Sequence, residues 1–317
     1  MKTKIFSLFI ALVATMAVNA QQIAVVSKGG VTNIYQTLGE AIAGAADGSV
    51  VYLPGGSFPI GDDVKITKSL NIIGIGHNSQ SGNADGRTHI AGNLFFNPGS
   101  DGSAVMGCYI NGNVNVGTSD APVHRVVVKY CNVNSIQVNN GNCLETFINQ
   151  NYIRNVSNCN YAKVDFTNNI MHSLQKMNGG KLSYNVFTSR WDYQNCTMYD
   201  CNNCVIEYNV ILDNYWVHKG NNCQATGNML QGSWGSGSIK AGGWGDVFEN
   251  SAGVSVNSSY HFKEAYAEYE GQIGIYGGTG FSETALPPVP YIFLKSIPDK
   301  TDASGKLHIS IGVKASE

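Results

Sequence analysis

Charge is what this chain has least of. Only 13% of its residues are Asp, Glu, Lys or Arg, against about 25% in ordinary soluble domains. The net charge is −2, so neither a nucleic-acid groove nor a polybasic membrane patch is expected. Long apolar runs are also missing, apart from Ile5 to Val18, and that run is too short to span a bilayer comfortably. No transmembrane segment is therefore expected. Nor is there a dense acidic cluster of the kind that holds calcium, so no metal site and no cofactor are expected. No Cys directly follows the apolar run, which argues against a lipid anchor.

The beginning of the chain reads as an export signal. Lys2 and Lys4 precede the apolar run, and Val18-Asn19-Ala20 places a small residue at the cleavage point. The mature protein is expected from about Gln21, secreted or in the cell envelope. With 43% hydrophobic and 10% aromatic residues, the remainder has enough apolar material to fold.

Asparagine fills the space that charge vacates: residues 131–170 hold twelve of them. Many open a short phrase of two or three apolar residues. These phrases are Cys131-Asn132-Val133, Asn151-Tyr152-Ile153, Asn169-Ile170-Met171, Asn185-Val186-Phe187, Asn209-Val210-Ile211 and Asn228-Met229-Leu230. A period near 20 residues, built from short strands and Asn/Gly turns, means a stacked coil. Residues that recur once per coil share a column, and stacked Asn side chains form a hydrogen-bonded ladder.

Before the repeats, Leu38, Ala41, Ile42 and Ala45 have helical spacing and predict a cap helix. Val50 to Leu53, Val64 to Ile66 and Leu70 to Ile73 read as strands. After the repeats, Leu286-Pro287-Pro288-Val289-Pro290 reads as a spacer. Tyr291 to Ile297 and Leu307 to Val313 alternate around Asp302-Ala303-Ser304-Gly305, a hairpin signal. The hairpin is expected to dock on the last coil or to serve as an attachment element. The expected organisation is a signal peptide over 1–20, a solenoid over 21–280 and a spacer with hairpin over 281–317.

The phrases Thr37-Leu38-Gly39-Glu40-Ala41-Ile42, Gly48 to Gly56 and Ile66 to Gly74 resemble the opening of right-handed parallel β-helix proteins of the pectate-lyase-like group. Tyr260-His261-Phe262-Lys263-Glu264 and Gly271 to Gly278 resemble the closing coil of such proteins in Bacteroides-type bacteria, although Ala265 to Glu270 departs from that pattern. The resemblance implies an all-β fold: a right-handed parallel β-helix with an N-terminal cap helix and a C-terminal β-hairpin tail. It implies little about function, because this fold carries many activities.

Eight cysteines in an exported chain raise the question of disulfides. Asn142-Cys143, Asn158-Cys159, Asn203-Cys204 and Asn222-Cys223 recur ahead of strands, with Gly179-Gly180 in the coil between. That recurrence favours a buried thiol stack. One disulfide among Cys196, Cys201 and Cys204 is the alternative. The same three cysteines have the spacing of iron–sulfur ligands, but the exported, Asn-rich context speaks against such a cluster and against zinc.

Three or four places past the repeat Asn, the columns hold Arg154, His172 and Asp213, with Arg190 one place further. These residues form the candidate catalytic set, because polysaccharide-cleaving members of the resembled group place their sites on such a face. A uronan lyase needs a cation to neutralise the substrate carboxylate, a base and an acid. Arg154 or Arg190 suits the first role and His172 the second, with Lys176 or Lys219 as substitutes. Asp213, Asp192 and Asp200 offer oxygens for Ca²⁺ if a lyase requires it. A hydrolase would need a carboxylate pair, for which Asp165, Glu207 and Asp213 are nearest. Trp191, Tyr215 and Trp216 are candidate platforms for sugar rings. The sequence thus favours an exported, monomeric protein whose partner is a polysaccharide, with a binding or envelope role. A polysaccharide lyase acting by β-elimination on a uronic-acid polymer is the alternative.

Overall fold

A computed structural model describes residues 22–61, 64–78, 86–189, 196–212, 216–249, 257–298 and 300–315. The candidate residues Arg190, Trp191, Asp192, Asp213 and Tyr215 lie outside these, as do residues 1–20; Trp216 is described for its backbone only.

The repeat phrases coil into a parallel β-solenoid with three sheets of eleven, ten and eight strands, called here sheets A, B and C. One circuit runs through Val127–Lys129 in A, Asn132–Val133 in B and Ile136–Val138 in C, then returns to A at Thr146–Asn149. Each strand pairs in parallel with its counterpart one coil on, as Val133 does with Ile153 and Ile153 with Met171. One residue of each strand in sheet B points inward, so Ile110, Val133, Ile153, Met171, Phe187 and Ile211 line one apolar core and are essentially inaccessible.

Helix α1 (Leu38–Gly44) buries Leu38, Ala41 and Ile42 at the head of that core. A capping box fixes its start: the Glu40 N–H donates to Thr37 Oγ1 and the Thr37 N–H to Glu40 Oε2, both at 3.2 Å. Beside it, Ile23–Val26 and Thr32–Tyr35 pair antiparallel at one end of sheet A.

The Asn ladder stands at the corner between sheets A and B. Asn151, Asn169, Asn185, Asn209 and Asn228 are fully buried. Each side-chain oxygen accepts from the backbone N–H of the preceding coil's ladder residue at 2.9 Å. The first rung is Cys131, not Asn132: strand register sets Asn132 opposite Tyr152, which puts Cys131 opposite Asn151. Just before each rung the backbone turns left-handed, at Tyr130, Gln150, Asn168, Tyr184 and Tyr208, with φ between 54° and 58°. Such a conformation costs non-glycine residues about 1–2 kcal/mol. The ladder, by satisfying the buried amides at the same corner, offsets it.

All eight cysteines are free. The expected thiol stack is present in part. Cys204 and Cys223 sit on neighbouring coils, with the Cys204 N–H donating to Cys223 Sγ at 3.3 Å. Cys143 reaches a different turn, where its sulfur accepts from the Val123 N–H at 3.4 Å. Burial pushes the buried thiols up, among them Cys108, Cys143, Cys159, Cys196 and Cys201, with Cys131 and Cys204 at about 12, so these pack as apolar groups.

The segment expected as a closing coil does something else. After Ile239–Lys240, the last strand of sheet B, residues 244–249 and 257–281 fold onto the outer face of that sheet. There Val247, Phe248, Tyr260, Phe262, Ile273 and Ile275 pack on Ile170, Val186, Val210 and Met229 as a second apolar cluster. The chain then runs back along the ladder corner as a strap. The Gly274 N–H donates to Tyr208 O, Asn168 Nδ2 to Ile275 O and Gly277 O, and the Ser282 N–H to Gln150 Oε1. Pro287 meets Gly107, and Val289 to Ile292 line a crevice with Tyr52, Pro54 and Ile75. The hairpin, Pro290–Ser296 with Ser310–Ala315, therefore starts beside the first coils and not on the last one. The physical reason is the outward apolar row at Ile170, Val186, Val210 and Met229, which needs a cover that a further rung would not supply.

Candidate functional site

The columns predicted from the repeat are real in the backbone. Ile153 pairs with Met171, which brings Arg154 beside His172. Their side chains, however, turn to other work. Arg154 reaches back over two coils: Nη1 donates to Tyr109 Oη, Nη2 to Ile110 O and Nε to Val133 O. His172 Nδ1 lies 2.8 Å from Ser173 Oγ, a fully buried hydroxyl. Asp165 and Glu207 do not form a bare carboxylate pair, because Lys181 stands between them. Its N–H donates to Asp165 Oδ1 at 2.8 Å and its Nζ pairs with Glu207 at 2.5 Å. Among the described residues no group of His, Cys, Asp and Glu is arranged to hold a metal ion.

Polar side chains also gather where the strap meets sheet B. A cavity of about 400 Å³ opens there, lined by Asn78, Ile170, Asn257, Ser258, Ser259, Tyr260, His261, Tyr276, Phe281 and Glu283, which falls in the size range of small-ligand sites. Ile170 comes from sheet B and Asn78 from the turn after strand Leu70–Ile73; the other lining residues come from the covering segment and the strap. His261 is gripped at both ring nitrogens, Nδ1 by Glu270 Oε1 at 2.9 Å and Nε2 by Glu283 Oε1 at 3.1 Å. Tyr276 stacks on the imidazole at 4.2 Å between centroids and donates its hydroxyl to Glu283. Glu270 also accepts from the Phe262 N–H at 3.0 Å. These bonds fasten the strap to the covering segment and fix the rings that face the cavity.

Burial alone would lower the His261 pKa, but the hydrogen bonds and charges of Glu270 and Glu283 outweigh it and raise the value above the ordinary 6.5. The sign follows from linkage. This contribution is fully present below pH 6.5 and is lost as pH rises through the folded-state value. Thermal unfolding scanned across that interval should show the native protein losing stability relative to His261→Gln. Parallel curves would mean that the imidazolium does not hold the strap.

Three other histidines are held below the ordinary imidazole value, His77 by burial to about 4. Burial lowers His218, which stacks on Trp234 at 5.0 Å and places Nε2 2.7 Å from Cys201 O. Burial and the nearby Arg87 and Arg154 charges lower His89. It sits on the outer face of sheet B next to Tyr109, whose ring lies under Arg87 at 4.2 Å and Arg154 at 5.0 Å.

Sequence reasoning missed His261, Glu270, Tyr276 and Glu283, and missed Arg87, His89 and Tyr109. The first group becomes a site only because the strap folds back over 100 residues in sequence, as the Asn168 contact to Gly277 shows. A signal was present for the second group: outward positions of sheet B read Ser57, His89, Tyr109 and Asn132, and then turn apolar at Ile170. The outward apolar row thus begins at Ile170, beyond the polar positions.

Fold and site together define a parallel β-solenoid whose pocket is walled by its own returning chain. Comparisons with protein families, with curated proteins and with solved structures find no match for this chain. No helix among the described residues is long and apolar enough to cross a membrane.

Proposed function

We propose that the protein is exported and binds an extracellular glycan in the pocket between sheet B and the strap, without cleaving it. The observation that carries this reading is the pocket lining: rings of Tyr260, Tyr276 and Phe281 beside the amides and hydroxyls of Asn78, Asn257, Ser258 and Ser259. Rings give a sugar its apolar face a surface to stack on, and amides and hydroxyls match its hydroxyl groups. Catalysis is less well supported because the one acid–base group there, His261, has both nitrogens committed to carboxylates. The pectate-lyase-like resemblance and the Arg154–His172 column keep a uronan lyase as the second reading. Arg154 spends Nε, Nη1 and Nη2 donors on Val133, Tyr109 and Ile110, which leaves little of it to neutralise a substrate.

The test is intrinsic fluorescence. Trp244 packs edge-on against Tyr260 at 6.4 Å, so filling the pocket changes its emission. A glycan panel should yield a ligand whose affinity falls about tenfold in Tyr276→Ala, the loss of one stacked ring and its contacts. Silence across the panel removes the binding reading. The same mixtures, watched for the ultraviolet absorbance of an unsaturated sugar, test the lyase: a growing signal installs cleavage in its place.

A further inference from the structure

We propose that Cys204 and Cys223 form a modification site: an incoming disulfide oxidises the pair to a Cys204–Cys223 bond that staples the last coil of sheet A to the one before it. The pairing follows from register. Val205 of strand Val205–Glu207 stands opposite Gln224 of strand Gln224–Thr226, so Cys204 stands opposite Cys223 one step earlier. The Gln224 N–H donates to Cys204 O at 2.9 Å, and the Cys204 N–H donates to Cys223 Sγ at 3.3 Å. Residues in register on neighbouring strands are about 4.8 Å apart, inside the range of roughly 4.4–6.8 Å over which a disulfide joins two Cα atoms. Each cysteine follows a left-handed turn, Asn203 with φ 55° and Asn222 with φ 56°. Their Cβ atoms therefore point the same way, and closing the bond draws the two coils a few tenths of an ångström together. It also needs a rotation of the Cys204 side chain, whose sulfur lies 3.0 Å from Asn202 O and 3.6 Å from Gly179 O. The register does not change.

A second pair shows that register alone does not make the site. Tyr109 stands opposite Asn132, which sets Cys108 opposite Cys131. Both of those thiols are fully buried, and no oxidant reaches them in the folded chain. Cys223 is the one cysteine of the eight that is not buried, and the turn before it, Gly220 to Asn222, is exposed. Cys223 therefore reacts first. Its thiolate attacks one sulfur of the oxidant and expels the other as a thiolate, which leaves a mixed disulfide on Cys223. Cys204 then gives its proton to water and its sulfur attacks Cys223 Sγ, so that the oxidant's second sulfur leaves as a thiolate. The protein loses two protons and two electrons, and the oxidant's disulfide is reduced to two thiols. Burial, with Cys223 beside it, holds the Cys204 thiol at about 12. The second step is thus the slow one, and its rate rises about tenfold per pH unit below that value.

The place where the bond falls gives it a task. Gln224–Thr226 is the terminal strand of sheet A, and beyond it the ladder continues, among the described residues, through the single bridge of Thr226 to Ser236. An end strand held mainly from one side is among the first parts of a fold to open. The same coil supplies Asn228, whose oxygen accepts from the Asn209 N–H, and Met229, on which the covering segment packs. A covalent bond at Cys223 keeps this coil, and the cover it carries, from opening. Disulfides persist outside the cytosol, so this task rests on the reading that the protein is exported; the pairing of the two thiols does not.

Folded protein, purified in reductant and then treated with oxidised glutathione, tests the site. The expected product has lost two hydrogens by intact mass and, once denatured, still alkylates at six of its eight cysteines. Peptide mapping should find Cys204 linked to Cys223, and the melting temperature should rise by about 5 °C. Cys204→Ala should stop at a glutathione mixed disulfide on Cys223, and Cys223→Ser should stay fully reduced. Raising the pH by one unit should speed closure of the mixed disulfide in native protein about tenfold. Eight alkylated cysteines after treatment, a mixed disulfide that persists in the native chain, or a bond between any other two cysteines overturns the inference while the export reading stands. A Cys204–Cys223 bond that leaves the melting temperature unchanged overturns the staple. Export is read separately, from whether protein recovered from cells begins at Gln21.

Discussion

Asn169→Leu should destabilise the solenoid by about 4 kcal/mol, the larger part of what a domain of ordinary stability has. Leucine keeps the volume and removes every polar contact the side chain makes. Asn169 Oδ1 accepts from the Asn151 N–H at 2.9 Å and from Asn151 Nδ2 at 3.0 Å. Its Nδ2 donates to Ile148 O at 2.8 Å and Asn185 Oδ1 at 3.0 Å. All of these atoms belong to fully buried residues, so water does not replace what is lost. The Asn151 amide loses its acceptor, and such an orphan costs about 1–3 kcal/mol by itself. The left-handed Asn168 next to it, φ 54°, also loses the neighbour that holds its turn. Urea unfolding measures the effect as a lower midpoint at constant slope. Asn149→Ala is the comparison, since Asn149 sits half-exposed at the same corner with one bond to Thr167 O. A loss for Asn169→Leu no greater than for Asn149→Ala would show that the ladder marks the repeat without holding it.

The ladder also explains why the fold was so readable. Asn recurs because one side chain per coil must satisfy a buried amide on the preceding coil, and that requirement is visible in sequence. The strands at Tyr152–Ile153, Ile170–Met171, Val186–Phe187, Val210–Ile211 and Met229–Leu230 stand where the phrases put them. The apolar spacing of Leu38, Ala41, Ile42 and Ala45 placed helix α1 in the same way. The error of one residue at the first rung has a clear cause. Cys131 follows the left-handed Tyr130 just as Asn151 follows Gln150, but Asn132 beside it looks like the repeat.

The site was much less legible, for two separate reasons. Column counting gives backbone register, and register does not say where a long side chain goes. Arg154 and His172 are neighbours as counted, yet Arg154 spends its length reaching Tyr109 and Ile110. The pocket, in contrast, depends on a chain reversal that no local pattern encodes. What the sequence does hold is its imprint. Outward positions of sheet B that would face water are Ile170, Val186, Val210 and Met229, and a row of outward apolar residues calls for a cover. Strands of two residues hide this, because two apolar positions in a row look like a buried strand instead of one with a covered outer face.

The cysteine column yields a prediction in which pattern and geometry disagree. Cys204 and Cys223 stack on neighbouring coils, and Gly180 occupies the matching place one coil earlier, since Lys181 pairs with Val205. Pattern alone suggests that Gly180→Cys would extend the thiol stack and stabilise the protein. Geometry says the opposite. Gly180 has φ +86°, and a Cβ there would lie 2.2 Å from Val164 O and 2.9 Å from Val164 N, both backbone atoms of a core strand that cannot step aside. The expected loss is about 3 kcal/mol or more, strain and clash together, despite a well-matched side chain. Gly179 separates the two causes. Its φ is +78°, nearly the same, but a Cβ there meets only the flexible Lys163 side chain, at 3.7 Å. Gly179→Ala should therefore cost only the conformational part, about 1 kcal/mol, and Gly180→Ala nearly as much as Gly180→Cys. Equal losses at the two glycines would mean that backbone conformation alone governs this turn. The contact with Val164 would then play no part in keeping the thiol stack from running through every coil.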